Sequence, residues 1–328
     1  MLTKKVLIIA EVGNNHNGKI KLAKKSIIEA KKAGADCVKF QYFNSDTLVH
    51  KDLRTLKHVK THKYQLDRLK SLEFSKKQFI ELYKFSKKIK IKFCLSFFDP
   101  ILIKEMIKYV DFIKIASSDA SNPIILKEAN KYNKMIIVST GLSEQHEIQN
   151  ISKYIQNKKL IVLHCISKYP TPLNEINLDE INKIKKHFNN VGYSDHTDDI
   201  YACCAAVAKG AKVIEKHFLC YENQQDAGDI GVSIGTKKFK EMVYIIRNFE
   251  KINAYSKVKN LDYYKNNMLR SPYAKRDLKK NEKISIEDIL ILRPFKKNGF
   301  DIKKLTKQNY KIKNKIKKNS LIKSNEIS

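Results

Sequence analysis

Four charged residues stand inside short runs of otherwise apolar, β-rich sequence: Glu11, Lys39, Lys114 and Glu215. A charged side chain in a buried strand loses its hydration, so it needs an opposite charge or a charged ligand beside it. The two lysines could bind the phosphate and the carboxylate of one small substrate, or they could pair with the two glutamates as internal ion pairs. A desolvated lysine could also act as a Schiff-base nucleophile.

Hydroxyl side chains stand at or just beyond the ends of similar runs. Ser96 ends the third run, and the hydroxyls that could join a substrate site are those of Ser117, Ser139, Ser167 and Ser194. Serine hydroxyls both donate and accept hydrogen bonds, so together with two lysines they would suit a phosphate and a carboxylate on one molecule. The pattern therefore predicts an anionic substrate.

Two histidines, His196 and His217, end two successive runs, beside Asp195 and Glu215. A single histidine is more often only hydrogen-bonded, but two imidazoles on neighbouring strand ends can bind one divalent ion. Two nitrogen ligands leave positions open for water and a substrate oxygen, which is what Lewis-acid activation of a carbonyl requires. We therefore expect a divalent metal site formed by His196 and His217.

Eight β-rich runs alternate with segments of helical spacing. The runs are Val6–Val12, Asp36–Tyr42, Lys92–Phe98, Phe112–Ser117, Met135–Thr140, Leu160–Ile166, Val191–Ser194 and Val213–Phe218. The helical segments are Leu22–Ala33, Lys77–Ile89, Ile101–Val110, Ile124–Tyr132, Glu144–Gln156, Leu178–His187, Tyr201–Lys209 and Lys237–Ile252. Parallel strands need crossover helices, and eight such units in roughly 250 residues are typical of an α/β fold of the (β/α)8 barrel type.

An open doubly wound sheet is the alternative architecture. The first run is not followed by a G-x-G-x-x-G turn, and polar residues follow nearly every run, so the barrel is favoured. The active site of such a barrel lies at the C-terminal ends of its strands, where the charged residues, serines and histidines would meet.

The chain divides into a barrel at residues 1–252, a linker at 253–267 rich in Tyr, Asn and Lys, and a tail at 268–328. Short strands are predicted in the tail at Ser271–Ala274, Ile284–Ile286, Ile289–Leu292 and Leu321–Ser324. A β-rich module of this size is marginal as an isolated folding unit, so we expect it to be docked.

The 328 residues carry a net charge of +31, but only six of the 65 basic residues are arginines and the lysines are spread along the whole chain. Without zinc-finger spacing or an RNA-binding motif, this charge does not indicate a specific nucleic-acid partner. The six cysteines lack C-x-x-C spacing and are expected to be reduced, buried thiols. No long apolar stretch or signal pattern is present, so we expect no membrane association and a cytoplasmic location.

A set of short motifs resembles one enzyme family. They are Ala10–Gly18 (AEVGNNHNG), Val38–Gln41 (VKFQ), Lys114–Ser117 (KIAS), Ser139–Gly141 (STG), Tyr169–Pro172 (YPTP), Gly192–Thr197 (GYSDHT) and Glu215–Phe218 (EKHF). Together they look like the N-acetylneuraminate (sialic acid) synthase family, which includes legionaminate and pseudaminate synthases. In the tail, Arg270-Ser271, the stretch 274–282 and Arg293-Pro294 resemble that family's antifreeze-like (SAF, β-clip) domain.

The resemblance implies a transferase of carbohydrate biosynthesis. It would condense phosphoenolpyruvate with an N-acylated amino sugar and water to give a nonulosonic (sialic) acid and phosphate, with Mn²⁺ or Mg²⁺ as cofactor. C3 of phosphoenolpyruvate would attack the open-chain aldehyde, polarised by the ion, and water would add at C2 before phosphate leaves. The resemblance also implies a domain-swapped homodimer in which each antifreeze-like domain caps the neighbouring barrel.

The resemblance assigns a role to each candidate residue. Phosphoenolpyruvate would be bound by Lys39, Ser96, Lys114, Ser117, Ser139, Ser167 and Ser194, and the metal by His196 and His217. The amino sugar would be bound by Gln41, Asp119, Tyr169, Asp229 and Arg293. Glu11 would orient or deprotonate the water, and Glu215 would serve the aldehyde or the metal.

The sugar side departs most from the family pattern. Asp119 stands where glutamate is usual, Phe97 replaces a proline, and the segments 225–229 and 295–297 differ from the family's loops. Gly13 followed by Asn15-His16 looks more like neuraminate and legionaminate synthases than pseudaminate synthases. N-acetylmannosamine is therefore the favoured substrate, with the legionaminate or pseudaminate precursor as alternatives. A catalytically silent binding scaffold is the alternative from another class.

Overall fold

The computed structural model describes residues 5–55, 62–221, 229–254, 259–304 and 309–328. The chain forms two compact units, residues 1–254 and residues 255–328. Among the described residues, no helix is long and apolar enough to cross a membrane.

The first unit is a closed barrel of eight parallel strands. The strands are β1 (Leu7–Gly13), β2 (Cys37–Tyr42), β3 (Lys92–Phe97), β4 (Phe112–Ile115), β5 (Met135–Ser139), β6 (Leu160–Cys165), β7 (Val191–Asp195) and β8 (Val213–Leu219). Each strand pairs with the next, and β8 pairs with β1, which closes the sheet. A short strand, β9 (Ile234–Gly235), pairs in parallel with the last two residues of β8. The predicted (β/α)8 fold is confirmed.

Ten helices in the described part of this unit surround the barrel and connect its strands. They are α1 (Ile20–Lys32), α2 (Ser45–Leu48), α3 (Gln65–Leu72), α4 (Lys76–Lys88), α5 (Pro100–Met106), α6 (Pro123–Asn130), α7 (Gln145–Tyr154), α8 (Glu180–Lys185), α9 (Tyr201–Ala208) and α10 (Thr236–Asn253). Their ends follow local chemistry: α5 and α6 begin with proline after an Asp99 or Asn122 side chain that caps the first turn.

The strands are buried on both faces, and their side chains alternate between two cores. One set faces outward and packs against the helices. The other set fills the inside of the barrel towards the N-terminal ends of the strands: Leu7, Ile9, Cys37, Cys94, Phe112, Ile137, Ile161, Leu163 and Val213. Glu11, Lys39, Lys114 and Glu215 follow members of the inner set at a spacing of two residues. The period of the strand therefore turns these charges into the barrel above an apolar floor.

The second unit has its own small core, formed by Ala274, Leu278, Ile284, Ile289, Phe300, Ile312, Ile316, Ile322 and Ile327. Strand β10 (Ser271–Ala274) pairs antiparallel with β12 (Ile289–Leu292), and β11 (Lys283–Ile284) pairs with β13 (Tyr310–Lys311). The predicted strand at 321–324 is reduced to isolated bridges, from Leu321 to Tyr273 and from Lys323 to Gly299. The unit is β-rich as expected, and its assignment as an antifreeze-like domain stays a prediction.

Helix α11 (Leu261–Met268) lies within the stretch predicted as a linker. The helix buries none of its residues, and it was not predicted from the sequence. The assignment of 253–267 as a linker stays a prediction.

Candidate active site

A cavity of about 380 Å³ opens at the C-terminal ends of the barrel strands. All seven residues predicted to bind phosphoenolpyruvate line it: Lys39, Ser96, Lys114, Ser117, Ser139, Ser167 and Ser194. The wall also contains Glu11, Gln41, Tyr169, His196, Glu215 and His217, each of which was a candidate site residue. A cavity of about 490 Å³ at the opposite end of the barrel contains several lysines but none of these residues.

Two lysines and two glutamates form a buried charge cluster at the base of the active-site cavity. Lys39 Nζ lies 3.0 Å from Glu11 Oε2 and 3.6 Å from Glu215 Oε1, and Lys114 Nζ lies 3.7 Å from the same Glu215 atom. Strand register explains the first contact, because Glu11 and Lys39 are direct neighbours on β1 and β2. The internal ion pairs considered from the sequence are therefore present, and they border the cavity.

Burial sets the protonation of this cluster. It raises the pKa of Glu11 from 4.5 to about 7, against the opposing effect of Lys39 and with a further rise from Glu215. Burial also acts on Glu215, but Lys114 and Lys39 outweigh it and lower the pKa of that carboxyl. When Glu11 is protonated, two ammonium groups face one carboxylate, so the cluster carries a net positive charge. That charge favours an anionic ligand in the cavity.

The two lysines differ in their pKa shifts. Burial opposes the charge of Lys39, but Glu11 and Glu215 overcome it and raise its pKa. Burial dominates at Lys114 and lowers its pKa, although Glu215 acts in the opposite sense. Lys39 is therefore a fixed positive charge, and Lys114 is the lysine with the greater need of an anionic ligand.

Serine hydroxyls hold the ends of these charged side chains. Lys39 Nζ donates to Ser96 Oγ at 2.9 Å, and Lys114 Nζ donates to Ser139 Oγ at 2.8 Å. Ser194 Oγ donates to Glu215 Oε1 at 2.9 Å. Each lysine is thus fixed by a neighbouring strand rather than left to several rotamers, which is the preorganisation that binding of a small anion needs.

The two histidine rings lie side by side on the cavity wall, with centroids 5.4 Å apart. His196 Nδ1 is 2.6 Å from the carbonyl oxygen of Ile166, and a carbonyl can only accept, so the proton of His196 is on Nδ1. Burial alone would lower the pKa of His196, but Cys165 and the Ile166 carbonyl outweigh it and raise that pKa, and Nε2 carries a free lone pair in the neutral ring. Burial, with His196 adding to it, lowers the pKa of His217 well below its usual value, which keeps that ring neutral.

These two rings fit a divalent cation. His217 Nδ1 lies 3.5 Å from Asp229 Oδ2, and neither buried atom has a hydrogen-bond partner among the described residues. Neutral imidazoles and carboxylates are suitable ligands for first-row divalent ions. No group of three or more His, Cys, Asp or Glu side chains within the described ranges is close enough to enclose an ion. A site on His196 and His217 would therefore keep open positions.

Asp195 does not belong to this donor set, although its place beside His196 favoured a metal site in the sequence. It is fully buried on the other face of β7, where it pairs with Lys216. Side chains alternate along a strand, so when Ser194 and His196 face the cavity, Asp195 must face away. That part of the sequence argument is corrected.

Gln41 and Tyr169, two of the predicted sugar-binding residues, are at the cavity. Gln41 Nε2 donates to Glu11 Oε1 at 3.3 Å and its Oε1 accepts from Asn14. Tyr169 lies at the mouth, 49% exposed, with its ring 4.2 Å from that of His196. An aromatic ring over His196, a candidate metal ligand, is well placed to contact a second substrate.

Asp229 lies just behind the cavity wall, against Gly13. The φ angle of Gly13 is +53°, and a Cβ there would lie 2.8 Å from Asp229 Oδ2, so glycine allows this approach. The pairing of β1 with β2 shifts register between Glu11 and Gly13, so β1 is irregular at this point. The neighbouring segment 225–228, where the sequence departs from the family, lies outside the described residues.

Asp119 and Arg293 are not among the cavity-lining residues. Asp119 stands in a turn after β4, where its carboxylate accepts hydrogen bonds from Ser118 and Asn122. Arg293 belongs to the second unit, where its Nε donates to the carbonyl oxygen of Met268 at 2.9 Å. Their proposed contact with sugar stays a prediction.

Cys165 is a cavity residue that the sequence did not single out. Its Sγ lies 3.7 Å from His196 Nδ1 and accepts from Ser117 Oγ at 3.8 Å. The signal was available, because Cys165 follows the inward-facing Leu163 by two residues and so shares its side of β6.

Comparisons with known proteins identify the family. The model of the NeuB family matches residues 26–258. An uncharacterized protein of Methanocaldococcus jannaschii is 38% identical over 96% of this chain and 92% of its own length. The N,N'-diacetyllegionaminic acid synthase of Campylobacter jejuni is 37% identical over 89% of this chain and 91% of its own length.

A comparison with solved structures indicates the same family as these sequence matches. The N-acetylneuraminic acid (sialic acid) synthetase of Leptospira borgpetersenii, crystallised with citrate, superposes with a TM-score of 0.70 at 31% identity. The match covers 79% of this chain and 91% of that chain. The resemblance stated from the motifs is thereby confirmed, and this chain belongs to the NeuB family of synthases.

Proposed function

We propose that this enzyme joins phosphoenolpyruvate to the open-chain aldehyde of an N-acylated amino sugar, with water, to give a nonulosonic acid and phosphate. The observation that carries the proposal is the buried cluster of Lys39 and Lys114, each fixed by a serine, beside the adjacent rings of His196 and His217. Similarity to a synthase named for diacetyllegionaminic acid supports the same reaction class.

The lysine end of the cavity suits phosphoenolpyruvate. This substrate carries a phosphate and a carboxylate on three carbons, and the two ammonium groups both lie near Glu215 Oε1, at 3.6 and 3.7 Å. A bound phosphate dianion would take over part of the electrostatic attraction that Glu215 exerts on Lys39 and Lys114. Ser117, Ser167 and the other wall hydroxyls would complete the hydrogen bonds to the remaining oxygens.

The reaction forms one carbon–carbon bond and replaces the bond from C2 to the phosphate oxygen by a bond from C2 to water oxygen. C3 of phosphoenolpyruvate bonds to the aldehyde carbon, water oxygen bonds to C2, and the bond from C2 to the phosphate oxygen breaks as C2 becomes a ketone. Of the two water protons, one ends on the former aldehyde oxygen and the other leaves with phosphate. Glu11, with a pKa of about 7, can take the proton of the water at neutral pH. Glu215 remains ionised through Lys114 and Lys39 and stabilises the positive charge that develops at C2.

His196 and His217 are the residues that would hold Mn²⁺ or Mg²⁺. The bound ion would polarise the aldehyde oxygen. The Ile166 carbonyl fixes the tautomer of His196, and Tyr169 covers the outer face of that ring. Gln41, linked to both Glu11 and Asn14, lies between the lysine cluster and the sugar side and can orient the second substrate.

From the sequence, N-acetylmannosamine ranks first among the sugars. The chain is 37% identical to a diacetyllegionaminic acid synthase, 36% to a pseudaminic acid synthase and 31% to a sialic acid synthetase, so the diacetylated precursor of legionaminate is the first of three sugars to test. We further propose the domain-swapped homodimer, in which Arg293 would contact the sugar bound to the partner; light scattering of the intact protein tests the dimer.

The decisive experiment measures inorganic phosphate released from phosphoenolpyruvate with Mn²⁺ and each of three sugars: N-acetylmannosamine and the legionaminate and pseudaminate precursors. We expect release that depends on one sugar, stops with EDTA and is strongly reduced in Lys114→Met at low phosphoenolpyruvate concentration. The matched control, Lys131→Met, removes an exposed lysine that pairs with Glu128 and should keep full activity.

One competing chemistry is favoured by a specific observation. The lowered pKa of Lys114 also suits a Schiff-base aldolase. That enzyme would be trapped by borohydride in the presence of pyruvate and would not need a metal. Trapping together with EDTA-resistant turnover would overturn the proposed condensation.

A further inference from the structure

An ion pair lies behind the barrel wall, directly outside the two histidines. Lys216 Nζ is 2.7 Å from Asp195 Oδ2, and both side chains are fully buried. The two residues face each other in the β7–β8 register and point away from the cavity, whereas Ser194, Glu215 and His217 point into it. No step of the proposed reaction uses this pair.

Every polar atom of the pair is used. Asp195 Oδ1 accepts from Tyr193 Oη at 2.9 Å and from the backbone N–H of Thr197 at 3.2 Å, and Oδ2 accepts from Thr197 Oγ1 at 2.9 Å. Lys216 Nζ also donates to the carbonyl oxygen of Thr197. The network therefore ties the end of β8 to the backbone immediately after β7.

The residue enclosed by this network is His196. Asp195 precedes it, Thr197 follows it, and its own carbonyl oxygen accepts from the backbone N–H of Thr171 at 2.8 Å. His217 follows Lys216 in β8 and lies opposite Glu11 in β1. The ion pair thus joins the two backbone segments that carry the histidine rings, just where the β7–β8 ladder ends.

A buried ion pair is an expensive way to hold two strands together. The cost of removing both charges from water often equals or exceeds their attraction, so a well-packed apolar pair would stabilise the barrel at least as well. What an apolar pair cannot supply is directional contact to the Thr197 carbonyl and amide. The placement of these contacts indicates a role in geometry rather than in overall stability.

We propose that Asp195 and Lys216 are positioning residues that set the separation and orientation of His196 and His217 for a shared divalent ion. This inference rests on the proposed function, in which those two histidines bind the metal. Partners that orient ligating residues without touching the ion typically change metal affinity by about 10- to 100-fold when they are lost.

The test measures Mn²⁺ binding to the apo protein by the electron paramagnetic resonance signal of the free ion, with no substrate present. Lys216→Met should weaken Mn²⁺ binding at least tenfold. Because Lys216→Met leaves a buried carboxylate without its counter-ion, the double variant Asp195→Asn with Lys216→Met and the milder Tyr193→Phe are measured beside it. Tyr193→Phe keeps the ion pair and should weaken binding by a few fold.

Asp36→Asn is the matched control. Asp36 is a partly buried aspartate that pairs with Arg247 at 2.5 Å and accepts from the backbone N–H of Ile8, at the opposite end of the barrel. Its loss should lower the thermal unfolding temperature while leaving Mn²⁺ affinity within twofold of the wild type. If Asp195 and Lys216 position the histidines, their variants lose Mn²⁺ affinity while Asp36→Asn loses only stability. If they are purely structural, Mn²⁺ affinity falls with the unfolding temperature in the same proportion in the ion-pair variants and in Asp36→Asn.

The outcomes distinguish the two proposals. If the wild type does not bind Mn²⁺, the metal part of the proposed function fails and this inference fails with it. If the wild type binds Mn²⁺ and the folded variants bind within twofold of it, the positioning role is overturned and the proposed function stands. Weakened Mn²⁺ binding in the ion-pair variants, with an unchanged Asp36→Asn control, is the result we expect.

Discussion

Replacing Glu11 by glutamine should make the stability of the barrel less dependent on pH. In the folded protein burial raises the pKa of Glu11 from 4.5 to about 7. Between these values the unfolded chain releases the proton while the folded chain keeps it, so rising pH favours unfolding. The wild type therefore loses stability from about pH 4.5 to about pH 7, and a glutamine at this position does not.

The difference between 4.5 and about 7 corresponds to about 3 kcal/mol, since each pKa unit is worth about 1.4 kcal/mol. The substitution also leaves Lys39 with Glu215 as its remaining carboxylate, 3.6 Å away. Both carboxylates raise the pKa of Lys39, and with Glu215 still present we expect Lys39 to stay charged between pH 5 and 8. The lost contact therefore shifts the variant's stability by a constant amount and does not alter the slope.

The assay is urea unfolding followed by circular dichroism at pH 5, 6, 7 and 8. The free energy of unfolding of Glu11→Gln minus that of the wild type should increase by about 2 to 3 kcal/mol across this range. Glu241→Gln, at an exposed side chain of α10, serves as the control and should follow the wild type at every pH. Parallel curves for Glu11→Gln and the wild type would refute the assignment of a protonated, buried Glu11 near neutral pH.

Three further substitutions test separate parts of the site. Lys114→Met should raise the KM for phosphoenolpyruvate by about 100-fold, because loss of one partner of a buried charge pair typically costs about 3 kcal/mol of binding free energy; steady-state phosphate release measures it, and an unchanged KM would contradict the binding of phosphoenolpyruvate by Lys114. Tyr169→Ala should raise the KM for the sugar and leave that for phosphoenolpyruvate within about threefold, since its ring covers His196 rather than the lysines. Equal increases in both KM values would contradict a specific contact between Tyr169 and the sugar. Gly192→Ala should lower the thermal unfolding temperature by several degrees, because a Cβ there would lie 2.5 Å from the carbonyl oxygen of Val213. An unfolding temperature of Gly192→Ala equal to that of the wild type would show that the gap between β7 and β8 is wide enough for a Cβ at this position.

The barrel could be predicted from the sequence because each strand is a compact apolar run between helices of regular period. Predicted and observed limits differ little, as for Val6–Val12 against Leu7–Gly13 and Tyr201–Lys209 against Tyr201–Ala208. Helix α3 was missed because only Leu69 and Leu72 of its eight residues are buried, too few for a helical period to stand out.

The sequence predicts which residues meet at the site, but it does not predict how their side chains are arranged. Charged residues inside apolar strands had to meet at one end of the barrel, which located Glu11 and Lys114 correctly. Sequence proximity misled the reasoning at Asp195, where the alternation of the strand, rather than the neighbouring His196, decides the direction of the side chain. The same alternation would have assigned Lys216 to the outer face and Cys165 to the cavity.

The central claim is that the cavity joins C3 of phosphoenolpyruvate to a sugar aldehyde. Its most direct test is mass spectrometry and NMR of the product made from [3-¹³C]phosphoenolpyruvate, Mn²⁺ and the diacetylated sugar, with phosphate measured in the same sample. We expect a product three carbons longer than the sugar, labelled at the new C3 and formed in equal amount to phosphate. Labelled pyruvate and phosphate with no carbon–carbon bond, for every sugar tried, would contradict the proposed function.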